Sequence, residues 1–347
     1  MTMTKILTLL DKELWLHYVR KSAAFDFYHT WYYHSMDNTA DPLLFVFEEG
    51  EDYIAFPLLK REIPGTEYFD LTCVYGYTGP ISNHDFADLE DSFLNRFKEA
   101  FFVFLQDQKI ISVFSRLHPF FGQERLMNKF EGIHPNGKTV AIDLKQTIEA
   151  QRSGYHRSYR QHIKQLKNKG YVVKETNSPE DIQIFADIYT ENMKRVGASD
   201  YYLFTEAYFT ELLAAEEFES KLMLILHEGE PVSGGIIICT NKIMQAHLVG
   251  TRTAHISVSP PKLLIDELTV MGRALGYEYL NLGGGLNFKE DTLYYWKTGF
   301  SSFSLDFNSW RFIANKPVYE SLLAEKGIHE ELDVDFFPLY RYQLLAE

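Results

Sequence analysis

The residues best suited to chemistry fall in one stretch, 277–300, where a lysine is set among aromatic side chains shortly after three glycines. Lys297 follows Tyr294, Tyr295 and Trp296, and Gly283, Gly284 and Gly285 lie upstream. The pattern predicts a short strand over 277–282, a glycine turn, a short polar helix and an aromatic cluster around one cation. Glycines just past a strand let the backbone approach a ligand closely, because no Cβ intervenes. A cation on an aromatic wall at that point can supply positive charge to a carbonyl or a phosphate. The same residues also fit an ordinary helix end, with Lys297 complementing the dipole and Gly299 as the cap.

A second concentration of charge lies over 152–174, which holds Arg152, Arg157, Arg160, Lys164, Lys167, Lys169 and Lys174 and no acidic residue. Arg157, Arg160, Lys164 and Lys167 share one helical face, while Tyr155, Tyr159, Ile163 and Leu166 share the neighbouring one and are expected to pack inward. The basic face reads as a phosphate-binding edge, since arginine's planar fork suits phosphate, or as a solvated linker helix tied to acidic patches. Other candidates are weaker in pattern. Tyr75 and Tyr77 sit at a strand end near Gly76 and Gly79, as an acceptor-side wall or as edge packing. Arg195, before Gly197, is a helix-end cap or a cleft residue. His247 and His255 lack a third ligand at metal spacing, and the sequence predicts no metal site. Asp266 and Glu267 favour the dipole of their helix.

The elements that must position these groups follow from periodicity. In the first half, aromatic-rich helical spacing covers 11–36, a hairpin covers 43–48 and 53–60, and a strand covers 68–77. A helix over 85–107 carries Phe86, Phe93, Phe97 and Phe101, with strands at 110–117 and 140–144. The second half predicts a strand at 171–174, helices at 179–195 and 205–215, and a hairpin over 221–227 and 231–240. A strand at 243–250, a helix at 261–275, and strands at 277–282 and 303–312 complete it. Ser259 is the expected N-cap of the 261–275 helix.

Composition sets the class. The 347 residues, 46% hydrophobic and 15% aromatic, can bury sizeable cores. With 34 basic and 48 acidic residues the net charge is −14, which argues against DNA or broad nucleic-acid binding. Cys73 and Cys239 form no redox or metal motif and read as buried thiols. The N-terminus lacks a signal-peptide core and no apolar run reaches the length of a membrane span, so a soluble cytoplasmic protein is expected.

Taken together, Gly283 to Gly285, Asp291, Leu293, Lys297, Gly299 and Phe300 resemble the C-terminal signature of the FemABX family. That family holds the peptidyltransferases that build peptidoglycan bridges, alongside related acyltransferases of the GNAT superfamily. Arg160, Ile163, Lys164, Lys167 and Gly170 resemble its basic helix. Tyr189, Asn192, Met193, Arg195 and Gly197, with Tyr208, Phe209 and Leu212, resemble its next two helices. Thr72, Tyr75, Gly76, Tyr77, Gly79 and Pro80 resemble a strand end in its N-terminal half. The resemblance spans roughly 300 residues. It implies an α/β fold with mixed α+β sheets: two GNAT-like domains in tandem, at 1–148 and 149–347, the second opened by the basic helix, with a C-terminal tail free to return to the first.

The resemblance also implies acyl or aminoacyl transfer onto an amine of a phosphorylated cell-envelope precursor. Such transfer needs a neutral amine, a placed carbonyl and stabilisation of an oxyanion; the chain has no nucleophile elbow or reactive cysteine. Lys297 and Tyr294 are the expected catalytic pair. Substrate contacts are expected at Trp296, Gly283, Gly284, Tyr75, Tyr77, Arg157, Arg160 and Arg195. No tightly bound cofactor is expected, and the donor co-substrate is aminoacyl-tRNA, met at its acceptor end, or acyl-CoA. Acetyl-CoA-dependent GNAT enzymes carry Arg/Gln-x-x-Gly-x-Gly/Ala before their long helix. The matching loop here, 251–261, lacks both glycines and has two prolines, which leaves Arg252, Ser259 and Lys262 to meet an anion. The long coiled-coil arm of bridge-building relatives is also missing or rudimentary, with only the short helices between 179 and 215 in its place. Two alternatives stand: a CoA-thioester N-acyltransferase of a lipid, polysaccharide or metabolite, and a non-catalytic GNAT-like binding protein.

Overall fold

Phenylalanines at helical spacing build the first core. The computed structural model describes all residues except 1, 200, 201, 287, 288, 330, 331, 333 and 343–347. The chain opens with β1 (Thr2–Thr8), α1 (Lys12–Lys21), α2 (Trp31–Ser35), β2 (Asp41–Glu49) and β3 (Asp52–Glu62), then β4 (Phe69–Thr72), β5 (Ile81–Ser82), α3 (Asp91–Asp107), β6 (Ile110–Arg116) and α4 (Glu124–Met127). On α3, Phe93, Phe97, Phe101 and Phe104 bury themselves against Phe45 and Phe47 of β2 and Phe56 of β3. Each such ring contributes roughly 1.5–3 kcal/mol on leaving water.

Two expectations here need correction. The strand expected over 68–77 ends at Thr72, because Gly76 (φ 119) and Gly79 (φ 83) take backbone conformations that break pairing. A Cβ at Gly76 would lie 1.9 Å from the Tyr28 ring, so only glycine fits. The helix expected from 85 starts at Asp91, since the Asp85 carboxylate accepts the Ala87 N–H at 2.9 Å and holds a local turn instead.

The second unit's sheet begins at β7 (Ile133–Asp143). It is followed by α5 (Ile148–Gly154), α6 (Arg157–Asn168), β8 (Val172–Thr176), α7 (Pro179–Arg195), α8 (Glu206–Leu213), β9 (Glu219–His227), β10 (Glu230–Thr240), β11 (Ile243–Thr251), α9 (Pro261–Ala274), β12 (Tyr279–Gly283) and α10 (Thr292–Thr298). Strand order is β7-β12-β11-β10-β9-β8. Among the described residues of this unit only β11 and β12 run parallel, joined by α9, and their pairing stops at Gln245 and Asn281. Ile163 and Leu166 of α6 and Leu263, Leu264 and Leu268 of α9 share one buried cluster with Leu280 and Leu282 of β12. Helix α7 approaches β11 so closely at Gly250 that a Cβ there would lie 3.1 Å from the Tyr189 backbone.

The chain divides into Met1–Asn136 with Phe307–Glu347, and Gly137–Asp306, whereas the sequence expectation sets its boundary at 148. Strand β7 pairs with β12, so it goes with the sheet that follows it. The later residues return through β13 (Ser304–Ile313), which pairs antiparallel with β6, and α11 (Lys316–Glu325). Their anchor is Asp70, fully buried. It accepts hydrogen bonds from Arg61 at 2.7 Å, the Tyr340 hydroxyl at 2.9 Å and Arg341 at 2.5 Å. Among the described residues no helix is long and apolar enough to cross a membrane.

The first unit also buries His29 and His34 completely, and burial pushes them down to about 3 and about 4. A histidine kept neutral when folded but free to protonate near 6.5 when unfolded loses stability as pH falls below that value. The urea midpoint of the first unit is therefore expected to drop steadily between pH 6.5 and 5, before most carboxylates titrate. A flat midpoint over that range contradicts the burial.

Candidate active site

Helix α10 is short, and each end is fixed by its own residues. Asp291 caps its start: one carboxylate oxygen accepts the Tyr294 N–H and the other the Leu286 N–H, both at 2.9 Å. Burial alone would raise the Asp291 carboxyl, but these backbone donors outweigh it and hold it low. A Cβ at Gly285 would strike the Lys289 carbonyl at 2.1 Å, so the turn before the helix needs glycine. At the other end Gly299 lies against the Tyr159 ring, where a Cβ would come within 2.3 Å. Helix α6 thus docks directly on the end of α10, and the Tyr159 hydroxyl donates to the Trp296 carbonyl at 3.0 Å.

This packing turns Lys297 back toward the glycines. Its ammonium donates to the Gly284 carbonyl at 2.5 Å and has no carboxylate partner among the described residues. Burial pushes the amine down to about 8, and the charge of Asp291 offsets only part of that effect. At pH 7 such a group is still about nine-tenths charged. The half-buried Trp296 sits beside it, its indole N–H 3.4 Å from the Ser259 hydroxyl.

Against the Tyr159 ring, the Lys262 ammonium lies 4.2 Å from the ring centre. Lys262 occupies the first turn of α9, whose dipole disfavours a cation, and burial lowers its pKa. No carboxylate pairs with it among the described residues. The Lys262 and Leu263 N–H groups are spent on the Ser259 and Pro260 carbonyls, at 3.2 and 2.9 Å. Pro260, not Ser259, is the N-cap; Ser259 takes a left-handed conformation (φ 48). The helix start therefore offers an anion side chains rather than a cradle of backbone amides.

The structure thus sets Trp296, Lys262 and Gly299 against Tyr159, with Ser259 reached by Trp296, and Lys297 on Gly284 in the turn that Gly283 opens at φ 72. Tyr159, read from the sequence as packing alone, is the hub; its place on the inward face of the basic helix was the available signal. The other candidates fall elsewhere. Tyr294 is buried, and no hydrogen bond joins its hydroxyl to Lys297 among the described residues, so geometry gives no support to a proton relay. Arg160 caps α5 through the Arg152 and Ser153 carbonyls. Arg157 is exposed. Arg152 and Lys167 reach the buried Asp266 at 2.7 and 3.4 Å, so part of the basic face is spent internally. Arg195 holds the Thr251 carbonyl at 3.0 Å and Asn192 at 2.5 Å, while Arg252 reaches the Pro231 carbonyl and Glu191. Both strap the loop after β11. In the first unit, Tyr77 is core rather than wall, edge-on to His118 and Phe307, and the Tyr75 carbonyl accepts from the Tyr33 hydroxyl at 3.1 Å. Among the described residues no group of three or more His, Cys, Asp or Glu side chains could hold a metal.

Residues 153–298, which contain the whole cluster, match the acetyltransferase (GNAT) domain family. The chain carries a GNAT acyltransferase domain. Among solved structures, the chain is similar to FemX at a TM-score of 0.69 and 11% identity, covering 92% of this chain and 99% of that one. It is similar to L-PGS from Bacillus licheniformis at 0.58 and 16%, covering 91% and 96%. A Bacteroides thetaiotaomicron protein of unknown function matches at 0.58 and 13%, covering 90% and 100%. These likenesses show the fold, two GNAT-like domains in tandem. No curated protein matches the chain by sequence.

The GNAT domain depends on the contact between Gly299 and Tyr159. Gly299→Ala is expected to destabilise it by about 1–3 kcal/mol through overpacking. Adding Tyr159→Leu, which clears the space, should return part of that loss in denaturant unfolding. Strictly additive losses contradict the contact.

Proposed function

We propose that the second unit moves an acyl or aminoacyl group onto an amine of a phosphorylated cell-envelope precursor. The observation that carries this reading is the Lys297 ammonium: partly buried, without a carboxylate partner among the described residues, and fixed at a glycine turn inside the GNAT domain. A positive charge in that setting stabilises an oxyanion far better than one in water. The acceptor amine attacks the donor carbonyl directly; a C–N bond forms, and negative charge gathers on oxygen beside Lys297. The C–O or C–S bond to the donor then breaks, and the amine proton leaves with the departing group or to solvent. Trp296 lines the acyl group. Lys262 and Ser259 meet a donor phosphate.

The envelope acceptor is supported by the fold shared with FemX and L-PGS. Aminoacyl-tRNA is the favoured donor, because the start of α9 lacks free backbone amides for a coenzyme pyrophosphate. The match to an acetyltransferase domain favours a second reading, in which the donor is a CoA thioester.

Purified protein assayed with aminoacyl-tRNAs and acyl-CoAs, and a nucleotide-linked peptidoglycan precursor as acceptor, tests the reaction. Lys297→Met is expected to lower turnover about 100-fold or more with an unchanged melting curve. The wild-type rate should fall as pH rises through about 8, where the ammonium is lost. Lys297→Arg, charged throughout, should remove that falling limb. Full activity in Lys297→Met overturns the role of the lysine; transfer from neither donor class overturns the reaction.

A further inference from the structure

Asn281 lies at the last paired position of the parallel strands, directly beside Gln245 of β11, and is 1% exposed. Its neighbours Leu280 and Leu282 point into the core shared with α6 and α9, so alternation along β12 sends Asn281 to the opposite face. Its carboxamide oxygen accepts the Gly283 N–H at 3.0 Å, closing a turn two residues ahead. Gly283 follows at φ 72, and the next carbonyl, that of Gly284, receives the Lys297 ammonium. The other end of the carboxamide is unsatisfied: the buried Nδ2 has no hydrogen-bond partner among the described residues. A buried N–H left unpaired costs about 1–3 kcal/mol.

An aspartate would make the same bond to Gly283 with no orphaned donor. It would also bring a full negative charge within roughly 10 Å of Lys297, given the reach of about 3.5 Å per residue. Among the described residues Asp291 is the charge that acts on Lys297, and both its oxygens are already held by backbone N–H groups. We propose that Asn281 is the positioning residue of this site: its uncharged carboxamide fixes the Gly283–Gly284 turn that receives the Lys297 ammonium. The orphaned Nδ2 is the cost of holding that turn without adding a charge beside the lysine. The inference deepens the acyl-transfer reading and rests on it for its purpose, but its test needs no substrate.

Competitive acetylation with acetic anhydride across pH, read by peptide mass spectrometry, follows the titration of Lys297 in the full chain. Asn281→Asp keeps the turn and is expected to raise the midpoint by at least half a unit. Asn281→Ala frees the turn, exposes the ammonium and should raise it by more than one unit. If Asn281→Ala does not fold, Gly283→Ala strains the same turn from its other side and must raise the midpoint too. A folded variant whose Lys297 still titrates near 8 overturns the proposal. Shifted midpoints in a protein that transfers no acyl group uphold the positioning role and reject the acyl-transfer reading instead.

Discussion

A lysine ammonium turned onto a backbone carbonyl rather than a carboxylate is the contact on which the rest of the site depends. The arrangement is unfavourable in isolation, since burial disfavours the charged form and a neutral carbonyl compensates only in part. Surrounding structure must impose it. Asp291 could have paired with the lysine, but its oxygens cap α10 and the preceding turn. Gly285 leaves no room for a side chain, and Gly299 admits the Tyr159 ring against the end of the helix. Lys297 is thereby directed back toward the open end of β12.

The same logic extends to the start of α9. Lys262 stands where the helix dipole repels it, against the face of the Tyr159 ring. Two under-compensated cations, Lys262 on the Tyr159 ring and Lys297 on the Gly284 carbonyl, contrast with the net charge of −14 of the chain. Basic residues that looked equivalent in the sequence do different work: Arg152 and Lys167 secure a buried carboxylate and Arg195 a loop carbonyl, while neither Lys262 nor Lys297 pairs with a carboxylate among the described residues.

Much of this was legible in the sequence. Helical spacing of Phe93, Phe97 and Phe101 gave α3, Pro179 and Arg195 bounded α7, and the glycine-aromatic-lysine stretch drew attention to the turn and short helix where Lys297 meets Gly284. What escaped depends on contacts distant in the chain. Nothing local reveals that Gly76 must admit the Tyr28 ring, or that Asp70 waits for Arg341. The packing of Tyr77 was hidden for the same reason. Asn281 did leave a trace, a polar residue between two leucines in an apolar strand, but its meaning needed the bond to Gly283. Ser259 and Pro260 show how a preference for serine at helix starts yields to backbone geometry.

The direct measurement is the titration of Lys297 in the unmodified protein, by NMR of lysine labelled with 13C at Cε and assigned by comparison with a Lys297→Arg sample. The structure predicts one lysine with a midpoint near 8, well below the ordinary 10.5. A midpoint at the ordinary value would place that ammonium in water and remove the basis for its role in acyl transfer.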